Sequence, residues 1–395
     1  MPETQLYFPN INRAVVLYQD QFGGTDLLLN RLEGWLINKG VIVVDESCLQ
    51  QGDNIDLLLL PTSRMDSIYT LSRQGINYSK VLVWAMGYGA FEAAFYSPRA
   101  KSYLFSLSTI PIRSLQYFFL KELLEHNSLV FTDVAGMDYD LRSVQLSSLA
   151  SAKLIAPIAV KSHNFIPTLQ GCKKRLRVGW VGRISADFKI YPLIKLLDDL
   201  QELVVFKRLE IESITIVGDG DAEWLLRDYL KTYKKISIKW IASILPDSIG
   251  QFIFDEMDVL FAMGTSALDG ARFSTPTVIV KPFSKVEQRS DISYRWIYES
   301  QGYSLGELPD SKSSLEQPSK NLEAIFKELS LMGPSEIGSR CYSYSTTFFE
   351  DNAFELLLDR DLRSVSRRVI YYSKFLFLLN TVKMLVKRII KLGMS

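Results

Sequence analysis

The sequence predicts an α/β protein made of two doubly wound domains in tandem. Three observations carry this. Short runs rich in Val, Leu and Ile recur with little polar alternation, which suits strands buried on both faces of a parallel sheet. Segments with apolar residues at helical spacing fall between those runs. A length of 395 residues leaves room for two such units at roughly 100–200 residues per domain.

In the first half the candidate strands are 14–19 (AVVLYQ), 41–44 (VIVV), 56–60 (DLLLL), 81–86 (VLVWAM), 102–107 (SYLFSL), 128–132 (SLVFT) and 154–158 (LIAPI). A helix over 27–38 follows from Leu28, Leu32, Trp35 and Leu36 at helical spacing, with Lys39-Gly40 as its stop. In the second half the strands are 176–181 (LRVGWV), 213–217 (SITIV), 236–240 (ISIKW), 258–263 (DVLFAM) and 277–280 (TVIV). Helices are expected to begin near Tyr191, Ala222, Ile249 and Ala267. The seam lies in 164–175 (NFIPTLQGCKKR), and a polar Pro/Ser-rich loop breaks the chain again at 306–320. The division expected is therefore a Rossmann-like domain over 1–168, a second over 169–340, and C-terminal helices over 341–395. Open α/β sheets take ligands beyond the carboxyl ends of their strands, so facing domains would share one cleft.

Composition narrows the function classes. Apolar residues at 47% and charged residues at 23% are those of a soluble globular core. A net charge of +1 gives no reason to expect a nucleic-acid partner. Cys48, Cys172 and Cys341 are odd in number and far apart, with neither a disulfide framework nor a zinc spacing. The opening MPETQLYFPNINR carries no apolar core of a secretory signal. A cytoplasmic location is the expectation.

Four turns carry chemistry. After the first strand, Gly23, Gly24 and Thr25 open a helix whose N–H groups face outward, either as a ligand loop or as a plain tight turn. After LRVGWV come Gly182, Arg183 and, six residues on, Lys189. These two cations suit a phosphate, Arg through two N–H groups and Lys as a point charge, or else a solvated loop. In IVGDGD, Gly218 and Gly220 suit a left-handed turn, and Asp219 or Asp221 a helix cap. In AMGTSALDGARFSTPTVIV, Gly264, Thr265 and Ser266 open a helix on which Asp269 lies one turn in, as a diol acceptor or as a dipole partner.

The order Gly-Gly-helix, VGR with a downstream Lys, IVGDGD, then AMGTSALDGARFSTPTVIV resembles the nucleotide-sugar-dependent glycosyltransferases of the GT-B fold. The family-4-like branch that builds bacterial surface polysaccharides is the most similar. The resemblance runs from about Val15 to Val280. It implies that Arg183 and Lys189 hold the donor diphosphate, together with the loop at Gly264, Thr265 and Ser266. It implies that Asp269 holds the ribose and that Gly23 and Gly24 face the transferred sugar or the acceptor. It also implies a UDP-type donor substrate, no cofactor and no essential metal. Two departures stand out. Relatives carry a pair of glutamates eight apart, whereas the position eight before Asp269 is Phe261. They also often carry a first-domain histidine, whereas this chain has only His126 and His163. Candidate bases are Asp20, Glu92 and Asp133, each equally readable as a cap or a surface carboxylate.

The last stretch is charged on its own account. From Val365 to Ser395 there are seven cations and no carboxylate, which leaves −6 on the rest of a chain whose total is +1. One amphipathic helix is expected here, with Phe375, Leu378, Leu379, Val382, Leu385, Val386 and Ile389 opposite a polar side. It suits an anionic membrane surface, through residues 365–395, or packing back onto the first domain. The function implied is sugar transfer to a glycan or lipid-linked glycan in lipopolysaccharide O-antigen, capsule or exopolysaccharide synthesis, at the inner face of the cell membrane. Its alternatives are a nucleotide-sugar epimerase or hydrolase on the same fold and a non-catalytic binder.

Overall fold

A computed structural model describes residues 11–19, 24–95, 109–160, 175–186, 188–233, 236–283, 293–307, 315–349, 354–355, 357 and 361–393. The chain forms two compact units. One is Met1–Ala159 with Asp351–Ser395, and the other is Val160–Glu350. The seam thus falls a few residues before the expected one, and the C-terminal helix belongs to the first unit.

The first unit is a five-stranded, all-parallel sheet. Its elements are β1 (Arg13–Val16), α1 (Gly24–Asn38), β2 (Ile42–Val43), β3 (Asn54–Pro61), α2 (Ser67–Arg73), β4 (Asn77–Ala85), α3 (Ala90–Phe95), α4 (Thr109–Glu125), β5 (Leu129–Phe131) and α5 (Val134–Ser143). The strand order is β2-β1-β3-β4-β5. β3 and β4 pair from Asn54↔Asn77 to Pro61↔Trp84, and their middle residues are buried. Two-sided burial is why these runs do not alternate. Leu28, Leu29, Leu32 and Leu36 of α1 pack on Ala14, Val16, Leu57, Leu59 and Trp84. A fully buried leucine contributes about 1.5–3 kcal/mol, so this one face of α1 fixes the helix to the sheet.

The second unit has six strands: β6 (Leu176–Val181), β7 (Ile211–Val217), β8 (Ser237–Ile241), β9 (Val259–Ala262), β10 (Thr277–Val280) and β11 (Tyr294–Trp296). Its helices are α6 (Ile190–Val205), α7 (Glu223–Thr232), α8 (Pro246–Glu256), α9 (Thr265–Ala271), α10 (Leu322–Met332) and α11 (Pro334–Phe348). The order is β11-β10-β9-β6-β7-β8. All neighbours are parallel except β10–β11, which is antiparallel. The chain then contributes α12 (Arg367–Gly393) to the first unit. Ser373 fastens it there, its Oγ donating to Met65 O at 2.7 Å and accepting from Tyr69 N at 2.8 Å.

The doubly wound α/β class expected from the sequence is what both units have, and several local expectations shift. The 154–158 run makes only an isolated parallel bridge, Phe131↔Ile155, because Ala152–Leu154 turns as a 3-10 helix. β2 shortens to two residues. β11 had no expected counterpart. The 102–107 run lies outside the described residues. Among the described residues no helix is long and apolar enough to cross a membrane.

Candidate functional site

Each sheet has a point where the strand order reverses, and loops leaving the carboxyl ends there diverge to leave a crevice. In the second unit that point lies between β6 and β9, which pair in parallel from Val178↔Val259 to Val181↔Ala262. The loop after β6 carries Arg183 and Lys189. The loop after β9 carries Gly264, Thr265, Ser266 and Asp269. The two stretches singled out by sequence therefore leave neighbouring strands at the switch point.

Close backbone approach builds this edge. A Cβ on Gly218 would lie 2.0 Å from Gly182 O, and one on Gly220 would lie 2.3 Å from Ile184 O. The two glycines, at φ of 149° and 152°, thus take the positive-φ backbone expected of them and also let the loop after β7 press onto the loop after β6. Ile184 N donates to Asp219 O at 2.7 Å and Ala222 N to Ile184 O at 3.0 Å. Asp221 accepts from Ala186 N at 3.2 Å and does not cap α7, whose N-cap is Ala222. The pinned loop leaves Arg183 exposed and Lys189 partly buried.

Lys189 is the most informative side chain in the unit. Burial, with the Arg183 charge second, pushes its pKa down to about 8. No acceptor meets its ammonium among the described residues. Trp180 Nε1 is also buried without a hydrogen-bond partner. A Cβ on Gly182 would be 3.7 Å from Lys189 Nζ and 3.7 Å from Trp180 Nε1. Both donors thus lie within ordinary contact distance of where a side chain at Gly182 would begin. Leaving such donors unmade in a native fold is expensive, and the arrangement suits an anion that supplies the missing acceptors.

Across the switch point, Gly264 takes a φ of 66°, a left-handed value that favours glycine. Its N–H is committed to Leu305 O at 2.8 Å, so Gly264 shapes the loop while its own amide stays closed to a ligand. Thr265 and Ser266 open α9 half-buried. Asp269 is nearly buried and pairs with Arg272 at 3.2 Å. Phe261, eight residues earlier, is fully buried against Tyr294 and Phe326, so no carboxylate comes from that position. The loop beside Gly264 is held by a pair the sequence did not reveal. Arg295 donates to both Glu307 oxygens at 3.0 and 2.9 Å and to Ser300 Oγ at 2.8 Å, all buried. Twelve residues and no repeat separate the two charges, so no local pattern marks them.

At the edge of the first unit several described side chains are paired within the fold. Its switch point lies between β1 and β3. Asp20 and Gly23 are outside the described residues, and Gly24 begins α1. The Asp26 carboxylate accepts from Gln19 N at 2.8 Å. Tyr18 donates its hydroxyl to Glu33. Arg64 donates to Tyr18 O at 2.7 Å and forks onto Glu46 at 2.9 and 2.8 Å. After β4, Glu92 accepts from the Tyr139 hydroxyl. Asp140, wholly buried, accepts from Phe91 N and Glu92 N at 3.1 Å each. Burial pushes the Asp140 carboxyl up to about 7 against those two hydrogen bonds. Asp133 accepts from Gly136 N at 2.7 Å as the N-cap of α5, the structural reading of that residue. Tyr18, Arg64, Tyr139 and Asp140 escaped the sequence reading because each gains its role from a distant partner. Among the described residues no group of three His, Cys, Asp or Glu is placed to hold a metal ion.

No protein-family model matches the chain, and no curated protein matches it. Solved structures do overlay on it. A mutant TarM from S. aureus, in complex with fondaparinux, α-GlcNAc-glycerol and UDP, matches at 13% identity and a TM-score of 0.44, over 77% of this chain and 55% of that one. The pneumococcal O-GlcNAc transferase GtfA, with UDP and GlcNAc, matches at 13% identity and 0.40, over 85% and 59%. The apo lipopolysaccharide outer core galactosyltransferase WaaB matches at 12% identity and 0.39, over 87% and 97%. The chain spans little more than half the length of TarM and GtfA. Overlays this loose transfer no activity.

Proposed function

We propose that the chain is a glycosyltransferase. On this reading it moves a sugar from a nucleoside-diphosphate sugar, of the UDP type, to a glycan or lipid-linked glycan in cell-surface polysaccharide synthesis. The observation that carries the reading is Lys189, a partly buried cation beside Arg183 with no acceptor among the described residues and with Trp180 Nε1 unsatisfied next to it. A diphosphate supplies several anionic oxygens at once, which answers the Lys189 ammonium and the neighbouring Arg183 guanidinium. It also supplies the reason for the cations. As the sugar–phosphate bond breaks, negative charge grows on the leaving diphosphate, and positive groups already in place stabilise it without reorganisation. That assignment gives the charge offset to Arg183 and Lys189 rather than to a metal.

The remaining groups take supporting roles. Thr265 and Ser266 offer hydroxyls at the opening of α9. Asp269, already oriented by Arg272, keeps oxygen lone pairs that suit a ribose diol. In the first unit, Glu92 is the described carboxylate best prepared to act on an acceptor hydroxyl, since Tyr139 fixes its orientation. A base must reach the proton it removes within hydrogen-bond distance, and bound acceptor is the test of that reach. The deciding experiment is a panel of nucleotide sugars assayed for binding, hydrolysis and transfer. Binding of a nucleoside-diphosphate sugar with release of the diphosphate is expected. Absence of any donor binding at millimolar concentration sinks the reading.

A further inference from the structure

The helix α12 has two faces with different fates. Val369, Ser373, Leu376 and Asn380 form its inner row. Val369, Ser373 and Leu376 are buried, and Asn380 Nδ2 donates to Asp66 at 3.0 Å. Tyr371, Phe375, Leu378 and Val382 recur at steps of four, three and four and so share the opposite row. Those four are exposed at 55%, 40%, 47% and 56%. Beside them Phe118 of α4, 50% exposed, stacks on Tyr372 with ring planes 11° apart. Two helices of the first unit therefore contribute to one uncovered apolar surface, where single scattered side chains would need no explanation.

Charge says what covers it. Arg367 and Lys374 flank the exposed row on one side and Arg368 on the other, all exposed. Lys374 Nζ lies over the Tyr69 ring at 6.0 Å, and Arg368 reaches Glu122 only at 3.8 Å. No carboxylate occurs anywhere from Val365 to Ser395. An apolar stripe between cations matches an anionic bilayer, with rings and aliphatic chains entering the acyl boundary and the ammonium and guanidinium groups at the headgroups. The side chains from Leu385 onward lie outside the described ones and are not needed.

We propose that the outer row of α12, Tyr371, Phe375, Leu378 and Val382, extended by Phe118, docks the first unit onto an anionic lipid surface while the inner row keeps the helix bound to the fold. This sharpens the choice between membrane and packing, because one helix does both. It supports the transferase reading, in which a lipid-linked acceptor lies at such a surface, but it does not depend on the donor site.

Vesicle flotation with full-length protein tests it. Vesicles of phosphatidylcholine with 30% phosphatidylglycerol should retain the protein at least about tenfold better than pure phosphatidylcholine, and added salt should weaken retention. The triple variant Phe375→Ser, Leu378→Ser, Val382→Ser should lose about tenfold or more of that binding. Should the triple variant misfold, the surface pair Arg367→Glu, Lys374→Glu should lose binding instead. Wild-type protein that ignores anionic vesicles overturns the proposal, and so does a variant that binds as wild type. A dimer seen by light scattering and abolished by the triple variant also overturns it, by making the row a contact between copies. UDP titration of the same preparations separates the two ideas. Variants that keep UDP binding but lose vesicles support docking. Wild-type protein that binds vesicles but no nucleotide defeats only the transferase reading.

Discussion

The carboxyl edges of the two sheets treat charge in opposite ways. In the first unit the named groups at the edge are paired: Tyr18 with Glu33, Arg64 with Glu46, Tyr139 with Glu92, Asp140 with two backbone amides. In the second unit Lys189 is partly buried beside a like charge and its ammonium meets no acceptor among the described residues. The same unit shows that it can satisfy a buried cation, because Arg295 is fully engaged by Glu307, Ser300 and Ser304. The difference between Arg295 and Lys189 is therefore the one on which the proposed donor site rests: the first is satisfied within the fold, and the second meets no acceptor among the described residues.

The largest expected effect falls on the satisfied cation. Arg295→Ala leaves Glu307 buried with its partner gone, and breaking a buried pair in this way costs about 3–5 kcal/mol. Chemical denaturation of the second unit should register that loss. If Arg295→Ala were as stable as wild type, pairing would not distinguish the two cations.

Lys189→Met should do the reverse. Removing a partly buried cation that meets no acceptor among the described residues relieves desolvation, so stability should hold or rise. UDP affinity should fall by about 2–3 kcal/mol, roughly 30–150-fold, since a charge-assisted contact is lost. The pH dependence follows from the depressed pKa of about 8 against an ordinary 10.5. Between those values the unfolded chain holds the proton and the folded one does not, so wild-type stability rises with pH across the window. UDP binding needs the ammonium and should weaken as pH passes about 8. Calorimetric titration should find that Lys189→Arg, whose charge persists, lacks this loss.

How much of this could be read from sequence follows from the range of each signal. Strands such as 56–60 and 81–86 were legible because burial on both faces leaves an uninterrupted apolar run. Arg183 and Lys189 were legible because a strand, a glycine and a cation are contiguous. Trp180 was not, since an indole inside LRVGWV reads as core and only its orphaned Nε1 says otherwise. Arg295 with Glu307, and Asp140 beneath α3, gain their meaning from folding over a distance that no period encodes. The C-terminal helix was legible as amphipathic. Which of its apolar residues turn inward, Leu376 rather than Phe375, depends on the groove that Met65 and Tyr69 offer to Ser373.

A smaller effect tests the paired edge. The Asp140 carboxyl, raised to about 7 from 3.8 by burial, holds its proton in the folded chain where the unfolded chain has lost it. Stability from this group is therefore complete below about 4 and declines as pH rises to about 7. Asp140→Asn should remove that slope while changing stability at neutral pH by about 1–2 kcal/mol, since one backbone N–H loses its acceptor as a buried charge disappears. Denaturation midpoints from pH 4 to 8 would show it. An unchanged slope would mean that Asp140 is ionised throughout and that the first edge carries a charge it does not neutralise.

The smallest effect sharpens the open edge at a single atom. If Trp180 Nε1 completes the seat beside Lys189, Trp180→Phe should weaken UDP binding by about 1 kcal/mol, near fivefold, the ordinary net value of one hydrogen bond. Its indole N–H resonance, assigned by its loss in that variant, should move downfield as UDP is added. An indole resonance that ignores saturating UDP, with Lys189→Met still impaired, would confine the seat to the cations. The orphaned donor would then belong to a buried water, because a polar atom so enclosed is rarely left without a partner.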